Sequence, residues 1–184
     1  HSFRGGTGKS NTTANLAALL AANGQRVGVI DTDIQSPGIH VLFGLEGAAI
    51  NHSLNDYLWG RCEIQQAAHD VTDRLPQGAN GAGKLFLIPS SIQADEIVNV
   101  LREGYDVGKL TQGFRNLIKE LALDLLIIDT HPGLNEETLF SIAISHVLVI
   151  IMRPDQQDYE GTGVTVEVAR SLDVPRMMLV VNKT

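Results

Sequence analysis

Near its start the chain carries the stretch Phe3-Arg4-Gly5-Gly6-Thr7-Gly8-Lys9-Ser10. Glycines adopt backbone conformations that residues with a Cβ avoid, and they let a loop approach an anion closely. Lys9 would add a positive charge, Ser10 would offer a hydroxyl to Mg²⁺, and the helix that follows would turn its free N–H groups toward the anion. The stretch therefore predicts a loop that binds the phosphates of a nucleotide.

This phosphate loop differs from the common G-x-x-x-x-G-K-[ST] pattern, because Phe3 takes the position of the first glycine. A basic residue, Arg4, and two glycines precede the Gly-Lys-Ser ending instead. A glycine-rich turn followed by a chance Lys-Ser pair is the alternative explanation. The assignment therefore depends on the residues downstream.

Length and composition indicate a single globular domain over residues 1–184. The net charge of −7 argues against a strongly basic nucleic-acid binder. We see neither a signal peptide nor an apolar segment of the roughly 20 residues that cross a bilayer. The one cysteine, Cys62, cannot form an internal disulfide and is expected to be a small buried side chain. These features predict a cytoplasmic protein, with peripheral binding to a membrane or the nucleoid left open.

Apolar runs alternate with helical periodicity along the chain. This alternation predicts an α/β fold, a mostly parallel twisted sheet with helices on both faces. The predicted helices lie at 9–22, 40–43, 54–59, 93–103, 110–122, 159–172 and from 135 onward, and the strands at 26–30, 85–88, 123–129, 146–152 and 176–181.

Two parts of the chain are less regular. Residues 61–75 are ambiguous and in part helical. Residues 78–83 form a glycine-rich loop that lacks a Lys-Ser pair and leads into a strand, so a second phosphate site is not expected there.

A phosphate loop follows a strand, so we expect the chain to be a fragment that lacks the start of its first strand and a C-terminal part.

Aspartates end two of the predicted strands. Asp31 and Asp33 follow residues 26–30, and Asp129 follows the apolar residues 125–128. Ligands of parallel α/β sheets bind beyond the C-terminal ends of the strands, so these carboxylates are candidates for holding Mg²⁺ and orienting a water. The alternative is that each aspartate only caps a strand end and accepts hydrogen bonds from loop N–H groups.

Together these motifs resemble the MinD/ParA family of P-loop ATPases, whose deviant phosphate loop reads KGGxGK[ST]. Residues 4–10 match that loop, Asp31-Thr32-Asp33 resembles switch I, and Asp129-Thr130-His131-Pro132-Gly133 resembles switch II. Val181-Asn182-Lys183 matches the segment whose asparagine contacts adenine. The resemblance covers essentially the whole chain and implies a P-loop NTPase fold with ATP and Mg²⁺ as cofactors.

The resemblance also assigns roles to single residues. The nucleotide-binding residues are Gly5, Gly6, Thr7, Gly8, Lys9, Ser10, Asn11 and Asn182. The Mg²⁺ residues are Ser10, which binds the ion directly, and Asp31 and Asp129, which hold its waters. The catalytic residues are Lys9 on the β- and γ-phosphates, Asp33 on the attacking water, and Arg4.

Arg4 stands where the family carries a signature lysine that reaches the partner's phosphates across an ATP-sandwiched homodimer. A guanidinium binds phosphate as a planar fork and an ammonium as a point charge, so the two are not interchangeable. We expect Arg4 to act in trans. The alternative is an ion pair within its own subunit.

The family contains several functional branches. Iron–sulfur carriers use cysteines at the dimer interface, and since Cys62 stands alone we expect no iron–sulfur cluster. The resemblance then implies a slow, partner-stimulated ATPase that positions a cargo on DNA or on a membrane, together with an activator protein. The alternatives are a metabolic or cofactor-maturation enzyme and a nucleotide-binding regulator with little turnover.

Overall fold

The computed structural model describes residues 1–45, 47–75 and 83–183. These residues form two compact units, which we name the loop unit (His1–Lys9 and the residues from Thr130 onward) and the aspartate unit (Ser10–Asp129). In the described ranges, no helix is long and apolar enough to cross a membrane. Each unit has its own sheet, helices and apolar core.

The sheet of the aspartate unit has four strands, β1 (Arg26–Asp31), β2 (His69–Asp70), β3 (Lys84–Ile88) and β4 (Leu125–Asp129), in the order β2-β3-β1-β4. The central strand β1 runs parallel to both β3 and β4, whereas β2 is antiparallel to β3. In this register Ile30 pairs with Ile88 on one side and with Ile128 on the other. The C-terminal ends of the three parallel strands therefore meet at one edge of the sheet.

The helices described in this unit are α1 (Lys9–Ala22), α2 (Ile39–Leu42), α3 (Leu54–Leu58), α4 (Ala94–Glu103) and α5 (Val107–Glu120). Ala14, Ala17 and Ala21 lie three and four residues apart, so they share one face of α1. That face packs in one apolar cluster with side chains of β1 and β3. Helix α1 ends before Gly24, whose φ of 94° is in the left-handed region.

The loop unit contains the parallel pair β5 (Leu148–Met152) and β6 (Met177–Val181), with α6 (Glu136–Ala143) and α7 (Gln156–Ser171). Ile142, Ile150 and Ala169 lie in its apolar core. The backbone of His1 also pairs with β5, since its amino group donates to Val149 O at 2.8 Å and Ile151 N donates to His1 O at 2.9 Å. The residues just before the phosphate loop thus lie alongside β5.

The α/β fold with a mostly parallel sheet is confirmed, and the long helices lie where the periodicity predicts them. The ambiguous residues 61–75 contain two 3₁₀ turns, Ile64–Ala67 and Thr72–Arg74, and the short strand β2. Strand β4 is the edge strand of its sheet, and Leu125 at its start is 38% exposed. Of the glycine-rich loop predicted at residues 78–83, residues 78–82 lie outside the described residues. The single domain stays a prediction.

Candidate nucleotide site

The phosphate loop has the backbone that its glycines predict. Gly6 has a φ of 77° and Gly8 a φ of 93°, both in the region that favours glycine. Helix α1 begins at Lys9, directly after Gly8, so the loop leads into a helix N-terminus. Thr7 and Lys9 are both buried. This loop–helix arrangement is suited to an anion, because N–H groups at a helix N-terminus lack partners within the helix.

The end of β6 holds the phosphate loop through two side chains. Asn182 Nδ2 donates to the carbonyl of Thr7 at 2.9 Å, and Lys183 Nζ donates to the carbonyl of Gly6 at 2.7 Å. A Cβ on Gly8 would lie 2.5 Å from Asn182 Nδ2, so only glycine fits at that position. The predicted nucleotide residue Asn182 is therefore brought onto the loop, and Lys183 is a loop contact that the sequence did not single out.

Arg4 lies against acidic residues of its own chain. Its Nη1 is 3.8 Å from Asp155 Oδ1, and its Nε is 4.0 Å from the buried Asp158 Oδ1. Asp158 Oδ2 also accepts hydrogen bonds from the backbone N and Nε of Arg153, at 2.9 and 3.3 Å. In this structure Arg4 thus adopts the ion pair within the subunit, and its action in trans stays a prediction.

The aspartate unit brings two of the predicted metal residues together. Asp31 ends β1 and Asp129 ends β4, and the two are partners in the parallel register. Both side chains are buried. Thr13 Oγ1, on α1, donates to Asp129 Oδ1 at 3.2 Å, a contact that fixes the carboxylate and that no local pattern in the sequence reveals. The prediction that these two carboxylates lie at one sheet edge agrees with this geometry.

Asp31 and Asp33 also order the loop that follows β1. Asp31 accepts hydrogen bonds from the backbone N of Asp33 at 3.0 Å and of Gly38 at 3.4 Å, and Asp33 accepts one from Ser36 N at 3.2 Å. Asp31 and Asp33 therefore do accept hydrogen bonds from loop N–H groups, which is the alternative role that the sequence left open. It is compatible with ligand binding, because a carboxylate offers about four lone-pair sites.

Ser10 and Asn11 occupy the first turn of α1. Ser10 is half-buried, whereas Asn11 is exposed and its carbonyl accepts a hydrogen bond from Asn15 Nδ2 at 2.8 Å. A hydroxyl and two carboxylates are hard oxygen donors, which suit Mg²⁺ when phosphate and water complete its shell. Among the described residues, no group of three or more His, Cys, Asp or Glu side chains could hold a metal ion.

Comparison with known proteins agrees with this arrangement. A ParA family model, described as NUBPL iron-transfer P-loop NTPase, matches residues 1–184. The chain belongs to the ParA family of P-loop NTPases. Among its relatives, it is 28% identical over 187 residues to the septum site-determining protein MinD of Bacillus subtilis, covering 99% of this chain and 62% of that protein.

A second ParA-family relative is an iron–sulfur cluster carrier protein of Methanococcus maripaludis. It is 28% identical over 187 residues, covering 98% of this chain and 57% of that protein. Among solved structures, MinD of Pyrococcus horikoshii complexed with Mg-ADP has a TM-score of 0.78 at 20% identity, covering 98% of this chain and 67% of that one. The chain thus spans about three-fifths of the length of these two curated relatives.

The expectation of no iron–sulfur cluster is wrong. Relatives named iron–sulfur cluster carriers match nearly the whole chain, and the description of the matching family model names an iron-transfer P-loop NTPase. The expectation rested on a count of cysteines over 184 residues, of which Cys62 is the one. That count does not cover the remaining two-fifths of the relatives, so it cannot exclude cluster ligands.

Cys62 itself lies in the aspartate unit, on a cavity of about 520 Å³ also lined by Tyr57, Lys109 and Gln112. It is half-buried, not fully buried as the sequence suggested. Burial raises the pKa of its thiol, and the nearby carboxylates of Asp56 and Glu63 raise it further. The thiolate is thus disfavoured, which is the opposite of what a reactive or metal-ligating cysteine needs.

Proposed function

We propose that this chain binds ATP with Mg²⁺, hydrolyses it slowly, and uses the bound nucleotide as a switch. The observation that carries the proposal is the phosphate loop, with positive φ at Gly6 and Gly8 directly before the N-terminus of α1. Gly6 and Gly8, on either side of Thr7, take this conformation without the clash that a Cβ would cause, and the loop that they form leads directly into N–H groups at a helix N-terminus, which suits an anion.

The phosphate contacts follow from the loop. The backbone of Gly5 through Gly8 surrounds the phosphates, and the ammonium of Lys9 binds the β- and γ-phosphates. Asn182 already donates through Nδ2 to Thr7 O, so its carbonyl Oδ1 is the atom best suited to accept a hydrogen bond from the adenine amino group. This arrangement favours adenine nucleotides.

The metal contacts lie in the aspartate unit. Ser10 Oγ would bind Mg²⁺ directly, and the paired carboxylates Asp31 and Asp129 would hold waters of its shell. Mg²⁺ supplies positive charge to the β- and γ-phosphate oxygens when bound. Asp33 orients the attacking water, which it does as a hydrogen-bond acceptor and with little need for basicity.

For the output of the switch we propose the positioning of a cargo by a nucleotide-dependent homodimer. The match with MinD of Bacillus subtilis over 99% of this chain supports this output. Arg4 would then leave its ion pair and bind the phosphates of the partner subunit. The surface on which the cargo moves is DNA or an anionic membrane.

A second candidate output is the carriage of an iron–sulfur cluster, with ATP controlling its release. Two findings favour this candidate: the family model whose description names an iron-transfer NTPase, and the match with the carrier protein of Methanococcus maripaludis. The cluster would be cargo, and Cys62, the one cysteine of the 184 residues, could supply at most one of its thiolate ligands.

The test begins with nucleotide binding and turnover of the full-length protein. We expect Mg²⁺-dependent ATP hydrolysis, and a loss of ATP affinity of about 10- to 100-fold in Lys9→Ala, because a charge-assisted contact to phosphate is lost. Lys119→Ala is the matched control, since Lys119 is an exposed lysine on α5. A wild-type protein that binds neither ATP nor ADP would overturn the proposal.

The two outputs are separated with the same preparation. Turnover is measured alone, with double-stranded DNA, and with vesicles that contain anionic lipid. Stimulation by either surface supports positioning. Incorporation of iron and sulfide after anaerobic reconstitution, with release on ATP addition and no stimulation by either surface, supports the carrier.

A further inference from the structure

Lys183 has two unusual features for an exposed lysine after the end of a strand. Its backbone φ is 59°, in the left-handed region that lysine seldom adopts. Its side chain is nevertheless fixed, since Nζ donates to the carbonyl of Gly6 at 2.7 Å across 177 positions of sequence. Bonds of an ammonium to a neutral oxygen are stronger than those between neutral groups. The backbone conformation is thus coupled to a contact with the phosphate loop.

The two carbonyls held by the end of β6 are consecutive. Lys183 binds the carbonyl of Gly6, and Asn182 binds the carbonyl of Thr7. Every described peptide bond is trans, and in a planar trans peptide the C=O and N–H point in opposite directions. The carbonyl of Gly6 shares its peptide plane with the N–H of Thr7, and the carbonyl of Thr7 shares its plane with the N–H of Gly8. The two anchors therefore set the directions of two successive loop N–H groups.

A glycine-rich loop needs such anchors. Gly6 and Gly8 flank these peptide planes, and glycine populates positive and negative φ about equally, so each plane can rotate at low cost. A rotated plane would present a carbonyl oxygen, not an N–H, to a phosphate. The partial negative charge of that oxygen would repel the anion.

We infer that Lys183 is a positioning residue of the phosphate loop, which binds the Gly6 carbonyl so that the Thr7 N–H stays directed toward nucleotide phosphate. Its ammonium acts through the loop backbone and does not touch the nucleotide. Asn182 does the same for the Gly8 N–H through its Nδ2. The inference rests on the proposed nucleotide binding for its consequence, but its structural claim concerns the unliganded loop.

The first test therefore uses no nucleotide. The orientation of the Thr7 N–H in the full-length protein is measured from NMR residual dipolar couplings and amide chemical shifts for wild type, Lys183→Met, Lys183→Arg and the control Lys119→Met. We expect the coupling and the shift of Thr7 to change in Lys183→Met, because the Gly6–Thr7 peptide plane can rotate once the charged hydrogen bond to the Gly6 carbonyl is lost. Lys183→Arg, which keeps a cationic donor, and Lys119→Met should match wild type.

Lys183→Gly distinguishes the effect of losing the ammonium from the effect of backbone strain, because glycine adopts the positive φ without strain and has no ammonium. It should change the coupling and the shift of Thr7 as Lys183→Met does. An unchanged Thr7 amide in both variants overturns the inference. Faster amide hydrogen exchange at Val27 and Val29 of β1 in both would also overturn it, since Lys183 would then support the fold as a whole.

The nucleotide readout follows. We expect Lys183→Met to weaken ATP and ADP affinity alike by about tenfold and to leave kcat at saturating ATP within about twofold, because the misdirected N–H affects ground state and transition state together. A fall in kcat with unchanged affinity would contradict a positioning role. If wild type binds no nucleotide but the Thr7 amide still changes in Lys183→Met, the proposed function is overturned and the loop contact stands.

Discussion

Asp31 and Asp129 are register partners on the neighbouring parallel strands β1 and β4, and both are the last residues of their strands. The carboxylates are thus held by two backbones that are hydrogen-bonded to each other. A rigid pair of this kind can hold the water shell of a Mg²⁺ ion in one orientation, because little side-chain freedom remains to be lost on binding.

Asp129→Asn should lower Mg²⁺-dependent ATP turnover by about 100-fold, because the metal is worth several kcal/mol of charge stabilisation. The amide keeps the size of the carboxylate and can still accept the hydrogen bond of Thr13. Steady-state hydrolysis over a Mg²⁺ titration measures the effect, and nucleotide affinity in EDTA should not change. Asp173→Asn is the control, since Asp173 is exposed. Equal turnover of Asp129→Asn and wild type at every Mg²⁺ concentration would rule out the metal role.

Arg4→Ala tests the action of Arg4 in trans. If the side chain serves the partner subunit, wild-type turnover per molecule should rise with protein concentration, and Arg4→Ala should be slow at all concentrations. Arg4→Lys, which restores the residue of the family pattern, should recover turnover. Folding is expected to change little, because the partly exposed Arg4–Asp155 pair, at 3.8 Å, contributes about 0–1 kcal/mol and the buried Asp158 keeps its hydrogen bonds from Arg153. If Arg4→Ala and wild type have the same rate at every concentration, Arg4 serves only its own subunit.

Gly161→Ala and Gly163→Ala should have opposite effects on stability, although both lie within α7. Alanine favours a helix interior by about 1 kcal/mol over glycine, so Gly163→Ala, where a Cβ meets nothing within 4 Å, should raise the melting temperature. A Cβ on Gly161 would overlap the ring of Phe3, and overpacking costs about 1–3 kcal/mol. Gly161→Ala should therefore lower the melting temperature, and Phe3→Leu should relieve the effect. A stabilised Gly161→Ala would show that Phe3 is free to move.

The Phe3–Gly161 contact also shows which parts of the fold and of the site could be predicted from the sequence and which could not. Local signals located the helices well, as with Asn135, whose side chain accepts the N–H of Thr138 at the start of α6 as its residue type predicts. The phosphate loop and the aspartates were likewise visible, because their chemistry is concentrated in short segments. Phe3 was seen only as a substitution in the loop, and its role depends on a residue 158 positions away.

Three other features had no local signal. Strand β2 has two residues, too few to show alternation. Thr13 and Lys183 gain their roles from contacts with Asp129 and Gly6, at separations of 116 and 177 positions. Periodicity reports which face of an element is apolar, but it does not report which distant backbone group a polar side chain meets. Such contacts could be found only once the fold had brought the segments together.

His40 gives the aspartate unit a specific pH dependence. Its ring lies on α2, it is buried, and its Nδ1 has no hydrogen-bond partner among the described residues. Burial lowers the pKa of His40, because the charged ring would lose its hydration. In the unfolded chain the ring has its ordinary pKa of about 6.5. Above that pH both states are neutral and His40 has no effect. As the pH falls below about 6.5, His40 binds a proton in the unfolded state but not in the folded state, so the free energy of unfolding decreases.

The change is measured by urea unfolding at about pH 7.5 and about pH 5.5, on either side of that ordinary pKa, with Trp59 as the fluorescent probe, since it is the one tryptophan and lies in the same unit. We expect His40→Leu to lose less stability than wild type between the two pH values, because the apolar side chain has no proton to bind. His146→Gln is the control, since His146 is exposed and its replacement should leave the wild-type dependence intact. If His40→Leu and wild type lose equal stability over this interval, the buried ring is not the group that titrates.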